Sequence, residues 1–238
     1  MRLSHVDIYD FFVRRRKMSS VSVIIPTLNE KEGIEEVIED IPVERLQDDG
    51  YLVEVLAVDG GSSDGTIELL KNLDVEVIHV EGGKAKGVRE ALKNTIGEFI
   101  FLIDGDGTYP AEKIPIMLEE LETGSDMVLG SRFKGDISDG AMSLKNRFGN
   151  RVLTWLANRL YGTDVSDLCT GLRGFRCDGI DVEDIPGKGF EIESGIHSVF
   201  SDDQICEISI DYEKRKGESK LVTMDGLSIA LRLLKEKF

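Results

Sequence analysis

Between residues 21 and 130, short apolar runs alternate with segments of helical periodicity, and this alternation constrains the fold more than any other feature of the chain. The runs are "VSVIIP" (21–26), "YLVEVLAVD" (51–59), "VEVIHV" (75–80), "EFIFLID" (98–104) and "DMVLG" (126–130). Each has the length and near-continuous apolar character of a buried strand. Between them, "EKEGIEEVIEDI", "GTIELLKNL", residues 84–96 and residues 110–122 space their apolar side chains as helices do. The pattern predicts an α/β fold with a mostly parallel central sheet flanked by helices. Ligands of such sheets bind beyond the carboxyl ends of the strands. Asp59 and Asp104 both fall at such ends.

The 238 residues suffice for one large domain with its own core. With 41% hydrophobic and 31% charged residues, the chain has a globular composition. Its net charge of -16 argues against general nucleic-acid binding, which depends on Lys and Arg contacts to phosphates. Cys169, Cys177 and Cys206 are odd in number and lack zinc-ligand spacing, which reads as reduced thiols. No apolar run has the length of a membrane span. The start "MRLSHVDIYDFFVRRRKMSS" places its charges after its short apolar part, unlike a signal peptide, and residues 1–20 read as an extension.

The character of the chain changes after residue 140. Residues 141–161 carry Lys145, Arg147, Arg151 and Arg159 and no acid. Leu144, Phe148, Val152, Trp155, Leu156 and Leu160 recur there at roughly helical spacing, predicting a basic amphipathic helix. The closing "DGLSIALRLLKEKF" predicts a second one.

The chemistry concentrates in "FIFLIDGDGTYP" (99–110). Two carboxylates, Asp104 and Asp106, follow a buried strand, and like charges there are costly unless something positive joins them. Hard divalent cations such as magnesium or manganese take oxygen ligands and leave positions open for phosphate oxygens. A surface turn is the other reading of Asp-Gly-Asp. "VDGGSSDGT" (58–66) is a Gly-rich turn before a capped helix, over which a nucleotide could lie. The dinucleotide fingerprint after the first strand and the P-loop pattern are both absent.

In their order and spacing, "VSVIIPTLNE", "VDGGSSDGT", "GEFIFLIDGDGTYP" and "LGSRF" resemble family-2 glycosyltransferases with the glycosyltransferase A fold. "VSDLCTGLRGFR", "GFEIESGI" and "ISIDYEKRKGESKL" narrow the resemblance to the dolichol-phosphate (polyprenyl-phosphate) sugar transferases, over residues 20 to 235. The resemblance implies a single domain over 21–238, with a nucleotide-sugar half (21–135) and an acceptor and membrane-associated half (136–238). It implies that Asp104 and Asp106 bind magnesium or manganese and the donor diphosphate, with Thr108 completing the metal site. Pro26, Thr27 and Glu30 would approach the nucleotide, Asp59 the base, and Lys84 the donor. Many relatives carry a second acid beside Asp59; Gly60 here leaves base recognition open. Arg132, Arg147, Arg215 and Lys220 would hold the acceptor phosphate, with Arg132 also counted as catalytic. Glu191 and Glu193 read equally as acceptor-facing or as a solvated helix face.

Two absences sharpen the expectation. The Gln-x-x-Arg-Trp motif of processive polysaccharide synthases is missing, and no downstream base stands out. A hydroxyl acceptor needs help losing its proton. A phosphate monoester, with a second pKa of about 6, does not. The expected function is therefore inverting transfer of a sugar from a nucleotide sugar, a UDP-sugar before GDP-mannose, to dolichyl or polyprenyl phosphate. The expected location is peripheral, on the cytoplasmic face of a membrane. Transfer to a hydroxyl acceptor, and nucleotide-sugar binding without turnover, are the alternatives.

Overall fold

The structure, a computed structural model, describes residues 19–217 other than 74, 179, 188, 190 and 201–203, together with residues 230 and 233. Its centre is a seven-stranded sheet: β1 (Ser20–Thr27), β2 (Leu52–Asp59), β3 (Glu76–His79), β4 (Phe99–Leu102), β5 (Met127–Ser131), β6 (Arg173–Arg176) and β7 (Ile205–Ser209), in the order β3-β2-β1-β4-β6-β5-β7. β6 runs antiparallel to both of its neighbours, and every other pairing is parallel. The mostly parallel sheet is as the sequence predicts.

The apolar runs are continuous because both faces of the sheet are covered. Successive strand residues point to opposite sides. Val21, Val23, Ile25, Phe99 and Phe101 join one core with Ile34 and Val37 of α1 (Ile34–Asp40), Leu46 of α2 (Val43–Asp48), Leu70 of α3 (Thr66–Asn72) and the apolar side of α5 (Ile114–Glu122). Ile24, Leu56, Val58, Ile100 and Leu102 join the other, with Val88, Ala91 and Leu92 of α4 (Lys84–Asn94) and Ile192 and Ile196 of α7 (Ile192–His197).

The long basic helix forms as α6 (Leu144–Tyr161), three residues later than the pattern suggests, because Ser143 caps it: its side chain accepts from Asn146 N at 3.1 Å. Gly162, at φ 79°, ends it. Its apolar residues serve two faces. Leu153 and Ala157, flanked by Leu156, Leu160 and Tyr161, pack with Leu168 and Leu233. Leu144 (84% exposed), Phe148 (72%) and Trp155 (66%), with Val152 between them, face outward. The second amphipathic helix (225–238), residues 1–18 of the expected extension 1–20, and Lys220 lie outside the described residues, apart from Ala230 and Leu233. Among the described residues no helix is long and apolar enough to cross a membrane.

β6, α2, α7 and β7 are elements the sequence reading did not resolve. β6 wedges between β4 and β5 because Gly174 leaves room for the Phe101 ring: the two are register partners, and a Cβ at 174 would lie 2.4 Å from a Phe101 ring carbon. Gly174→Ala should therefore cost about 1–3 kcal/mol, the range for overpacking a dense core. The urea midpoint should fall while the slope stays unchanged. An unshifted midpoint would show that the ring has space to move.

Candidate active site

The carboxyl edge of the sheet gathers the charged side chains. Asp104 lies two residues past β4. Lys84, the first residue of α4, donates from Nζ to Asp104 Oδ1 at 2.7 Å and contacts Glu193 Oε1 of α7 at 2.6 Å. Burial alone would lower the Lys84 pKa; the charges of Asp104 and Glu193 outweigh it, and the ammonium is held firmly protonated. Gly171 closes the other side of Asp104. A Cβ there would fall 2.1 Å from Asp104 Oδ2, so the chain can pass only without a side chain. Gly171 N donates to the Tyr109 hydroxyl at 2.7 Å.

Asp106 sits in the turn that follows. Thr108 donates to its Oδ1 from Oγ1 at 2.6 Å and from N at 3.2 Å. Arg215 donates from Nη1 to Asp106 Oδ2 at 2.5 Å and from Nη2 to both Glu30 oxygens at 2.7 and 2.8 Å. The segment after β7 is laid across the turn: Glu213 N donates to Thr108 O, and Lys216 N to Asp106 O. Burial, then the charge of Asp104, pushes the Asp106 pKa up. Burial would push Asp104 up as well, but Lys84 prevails and holds it low.

Four carboxylates (Asp104, Asp106, Glu30, Glu193) thus share two cations, Lys84 and Arg215. The donor set of two carboxylates and the Thr108 hydroxyl is oxygen-only, as a hard cation requires. Among the described residues no group of three or more His, Cys, Asp or Glu could hold a metal alone. A hard cation held by this oxygen-only set would have to take most of its ligands from elsewhere.

The other expected residues divide. Pro26, with Lys84, Asp104, Gly171, Arg173 and Glu193, lines a narrow cleft at this edge. Thr27 ends β1, buried, its hydroxyl donating to Ile25 O. Asp59 ends β2, fully buried, accepting from Gly61 N at 2.8 Å and Ser62 N at 3.1 Å, with His79 Nδ1 at 3.1 Å. Arg132 is near the edge but buried, and its guanidinium is committed to Asp167: Nε to Oδ2 at 2.6 Å, Nη2 to Oδ1 at 2.7 Å. It also stacks over Tyr212, Tyr109 and Phe133. Arg147 lies half-buried on α6, its buried Nε without a hydrogen-bond partner among the described residues.

The pattern of Glycosyl transferase family 2 matches residues 22–182. The chain belongs to that family. Among curated relatives, glycosyltransferase AglJ of Haloferax volcanii is 38% identical over 177 residues, covering 74% of this chain and 56% of AglJ. A dolichyl-phosphate hexose transferase of the same organism is 34% identical, covering 87% and 88% of the two chains. A dolichol-phosphate mannosyltransferase of Pyrococcus furiosus is 30% identical, covering 84% and 59%. The chain thus spans only about half the length of AglJ. Among solved structures, glucosyl-3-phosphoglycerate synthase of Mycobacterium tuberculosis matches with a TM-score of 0.72 at 20% identity, over 99% of this chain and 86% of that one. The fold is glycosyltransferase A, as the motifs imply.

For a family-2 chain, several site partners escaped the sequence reading: Asp167, His79, Tyr109, Gly171 and Arg173. Tyr109 lies in "DGDGTYP", and Asp167, Gly171 and Arg173 in "VSDLCTGLRGFR", but neither motif marks which residue meets which acid. "GLRGFR" was the available signal, since a Gly-rich run between polar ends marks a close backbone approach.

Asp59 yields a pH prediction. Burial would raise its pKa, but hydrogen bonds from Ser62 and Gly61 and the contact with His79 together hold it below the ordinary value. A depressed pKa stabilises the fold above the unfolded value of about 3.9 and loses that contribution as pH falls through the folded value. Asp59→Asn should cost about 1–3 kcal/mol at pH 7, the penalty for breaking buried hydrogen bonds to a charge. In parallel unfolding titrations, the gap between the variant and the parent should stay constant down to about pH 5 and narrow below it. A gap independent of pH down to 2 would refute the ionised, buried state.

Proposed function

We propose that this chain is an inverting glycosyltransferase that moves a sugar from a nucleotide-diphosphate sugar to dolichyl or another polyprenyl phosphate. The observation that carries this reading is the pairing of Asp104 and Asp106 with Lys84 and Arg215 at the carboxyl edge of the sheet. Lys and Arg make short, strong charge-assisted hydrogen bonds to phosphate oxygens as they do to carboxylates. The dolichyl-phosphate hexose transferase, which the chain spans almost completely, supports the acceptor class.

Asp104, Asp106 and Thr108 would hold magnesium or manganese, which when bound neutralises charge on the departing diphosphate. Manganese accompanies UDP-glucose in a fold relative, the mycobacterial synthase. Pro26, Thr27 and Asp59 would seat the nucleotide, and Glu30 would reach it beside Arg215. Lys84 would turn to the donor diphosphate. Arg215, Arg147 and Lys220 would hold the acceptor phosphate. Arg132, committed to Asp167, serves as a positioning residue that fixes the end of β5 to the segment carrying Gly171. An oxygen of the acceptor phosphate bonds to the anomeric carbon as the carbon–oxygen bond to the diphosphate breaks, and the nucleoside diphosphate leaves with the electron pair. No proton has to move, because the acceptor is already ionised. Alignment and charge stabilisation supply the rate. A UDP-sugar is the favoured donor on the resemblance of "DGDGTYP" and "GLRGF", with GDP-mannose the other candidate.

Labelled UDP- and GDP-sugars, incubated with polyprenyl phosphate with and without manganese, test this reading. Transfer should require the phosphate, stop in excess chelator, and fall at least about 100-fold in Asp106→Asn while the fold is retained. Comparable transfer to free polyprenol would defeat the phosphate-acceptor reading.

The acceptor is a lipid, and α6 supplies a surface for it. Its outward apolar face of Leu144, Phe148, Val152 and Trp155 is flanked by exposed Lys145, Arg151 and Arg159, with no acid between 141 and 161. In a chain of net charge -16, this is where an anionic bilayer surface would dock. Anionic headgroups attract each surface Lys or Arg by about 1 kcal/mol. The attachment would be peripheral, on the cytoplasmic face. Binding to anionic liposomes should be salt-sensitive and weaken when Lys145, Arg151 and Arg159 are all changed to Gln. Phe148→Ser with Trp155→Ser should weaken it even at high salt. Unchanged flotation of both variants would assign this face to another partner.

A further inference from the structure

With the donor diphosphate at Asp104 and Lys84, the nucleoside runs along the carboxyl edge of the sheet in one of two directions. Toward β6 the way is filled: Gly171 passes against Asp104, and the segment after β7 lies across the Asp106–Thr108 turn. Toward β3 it is open. The ends of β1, β2 and β3 stand side by side in register, Thr27 beside Asp59 and Asp59 beside His79. Beyond them Leu28 is 40% exposed, and Gly60 and Gly61 carry no side chains; a Cβ at 61 would meet nothing within 4 Å. From His79 the chain reaches Lys84 in five residues, through Gly82 and Gly83. A nucleotide laid over the three strand ends, with its diphosphate at one end of that segment, brings its base to the other.

Of the polar groups there, Asp59 is already occupied. It is fully buried, and its oxygens accept from Gly61 N and Ser62 N and meet His79 Nδ1. His79 is the open one, with its side chain 54% exposed. The contact with Asp59 fixes the chemistry of the ring. Burial would raise the Asp59 pKa, but the hydrogen bonds from Ser62 and Gly61 hold it low, so the carboxylate is ionised and only accepts. Nδ1 must then carry the proton, and in the neutral ring Nε2 keeps a lone pair. Nε2 lies 4.0 Å from Glu81 Oε1, beyond hydrogen-bond reach. A fixed, exposed acceptor at the end of an open strip selects a donor on the ring that reaches it. Uracil and guanine carry a ring N–H on their pairing edge. Cytosine and adenine carry a lone pair there, which would face the lone pair of Nε2.

We propose that His79, oriented by Asp59, reads the base of the donor nucleotide by accepting its ring N–H on Nε2, and so restricts the donor to a uridine or guanosine diphosphate sugar. The inference rests on the nucleotide-sugar reading above and adds the group that selects the base. Asp59 then seats the nucleotide indirectly, by holding the imidazole and the Gly61–Ser62 turn in place. A site built to pair one hydrogen-bonding group rejects the isostere that cannot supply it.

Calorimetry on the full chain at pH 8 with manganese tests this. The probes are UDP and GDP, inorganic pyrophosphate, and two isosteres in which the ring N–H becomes a lone pair, CDP and 2,6-diaminopurine riboside diphosphate. Whichever of UDP and GDP the parent prefers should bind about tenfold more tightly than its isostere, one hydrogen bond's worth of affinity. In His79→Ala that discrimination should vanish while pyrophosphate binds as it does to the parent. His79→Phe, which keeps a flat ring without the acceptor, should lose it too and provides the readout if the alanine variant folds poorly. Discrimination that survives in either folded variant overturns the proposal, because another group then reads the base. So does a parallel loss of pyrophosphate and nucleotide binding, which would make His79 a support for the segment leading to Lys84. A parent that binds both nucleotides and both isosteres alike overturns it as well, while leaving the nucleotide-sugar reading intact. If the parent binds none of the nucleotides, that broader reading fails and this inference fails with it.

Discussion

Two carboxylates placed two residues apart at the end of a buried strand repel each other, and much of the site is arranged around that repulsion. Asp104 is offset by Lys84 from the first turn of α4, and Asp106 by Arg215 from the segment after β7. Neither cation is local in sequence. Each ion pair therefore ties a distant piece of chain to the end of β4, and each cation is itself shared, with Glu193 in one case and Glu30 in the other. Buried pairs of this kind add little net stability, since desolvation offsets the attraction. What they provide is position, with charge held ready at an edge where the fold leaves room for a ligand.

A second, uncharged constraint works beside the first. The segment from Thr163 to Leu172 must pass close to Asp104, and Gly171 is the residue that lets it. That segment is fixed at several points. Asp167 holds Arg132 at the end of β5, Thr170 donates to Gly130 O at 2.6 Å, and Gly171 N donates to Tyr109. The buried Arg132–Asp167 pair sits within hydrogen bonds and aromatic faces, which is the condition under which a buried ion pair costs least. The Arg132 guanidinium is thereby committed to holding this segment against the end of β5.

How much of this the sequence disclosed depends on the range of each interaction. The strands β1 to β5 were legible because a sheet covered on both faces makes each strand continuously apolar. Asp59, Asp104 and Asp106 were legible because strand ends are where such folds bind ligands. β6 was not, because "RGFR" reads as polar. Arg173 is buried there only because carbonyls of Leu168, Thr170 and Glu193 accept its N–H groups. Glu30 was expected near the nucleotide, but its pairing with Arg215, 185 residues away, left no local mark in the sequence. The stripe on α6 was visible, but periodicity cannot separate a face that packs from one that does not. Leu156 and Leu160 turn inward, while Phe148 and Trp155 turn out.

That division of α6 has a mechanical consequence. The inward face is bound to the segment that closes the site: Thr154 Oγ1 accepts from Leu168 N at 3.1 Å, and Asn158 donates to Val165 O at 2.8 Å and accepts from Thr163 Oγ1 at 2.8 Å. Leu168 lies three residues from Gly171, which touches Asp104. The outward apolar face and the acid pair are therefore joined through one rigid helix and a short, hydrogen-bonded stretch of chain. A surface that seats the outward face fixes the orientation of the acid pair relative to itself without any conformational change. Were the acceptor phosphate confined to a bilayer, as proposed above, that fixed relation would reduce the search for alignment, one of the contributions such a site makes to rate.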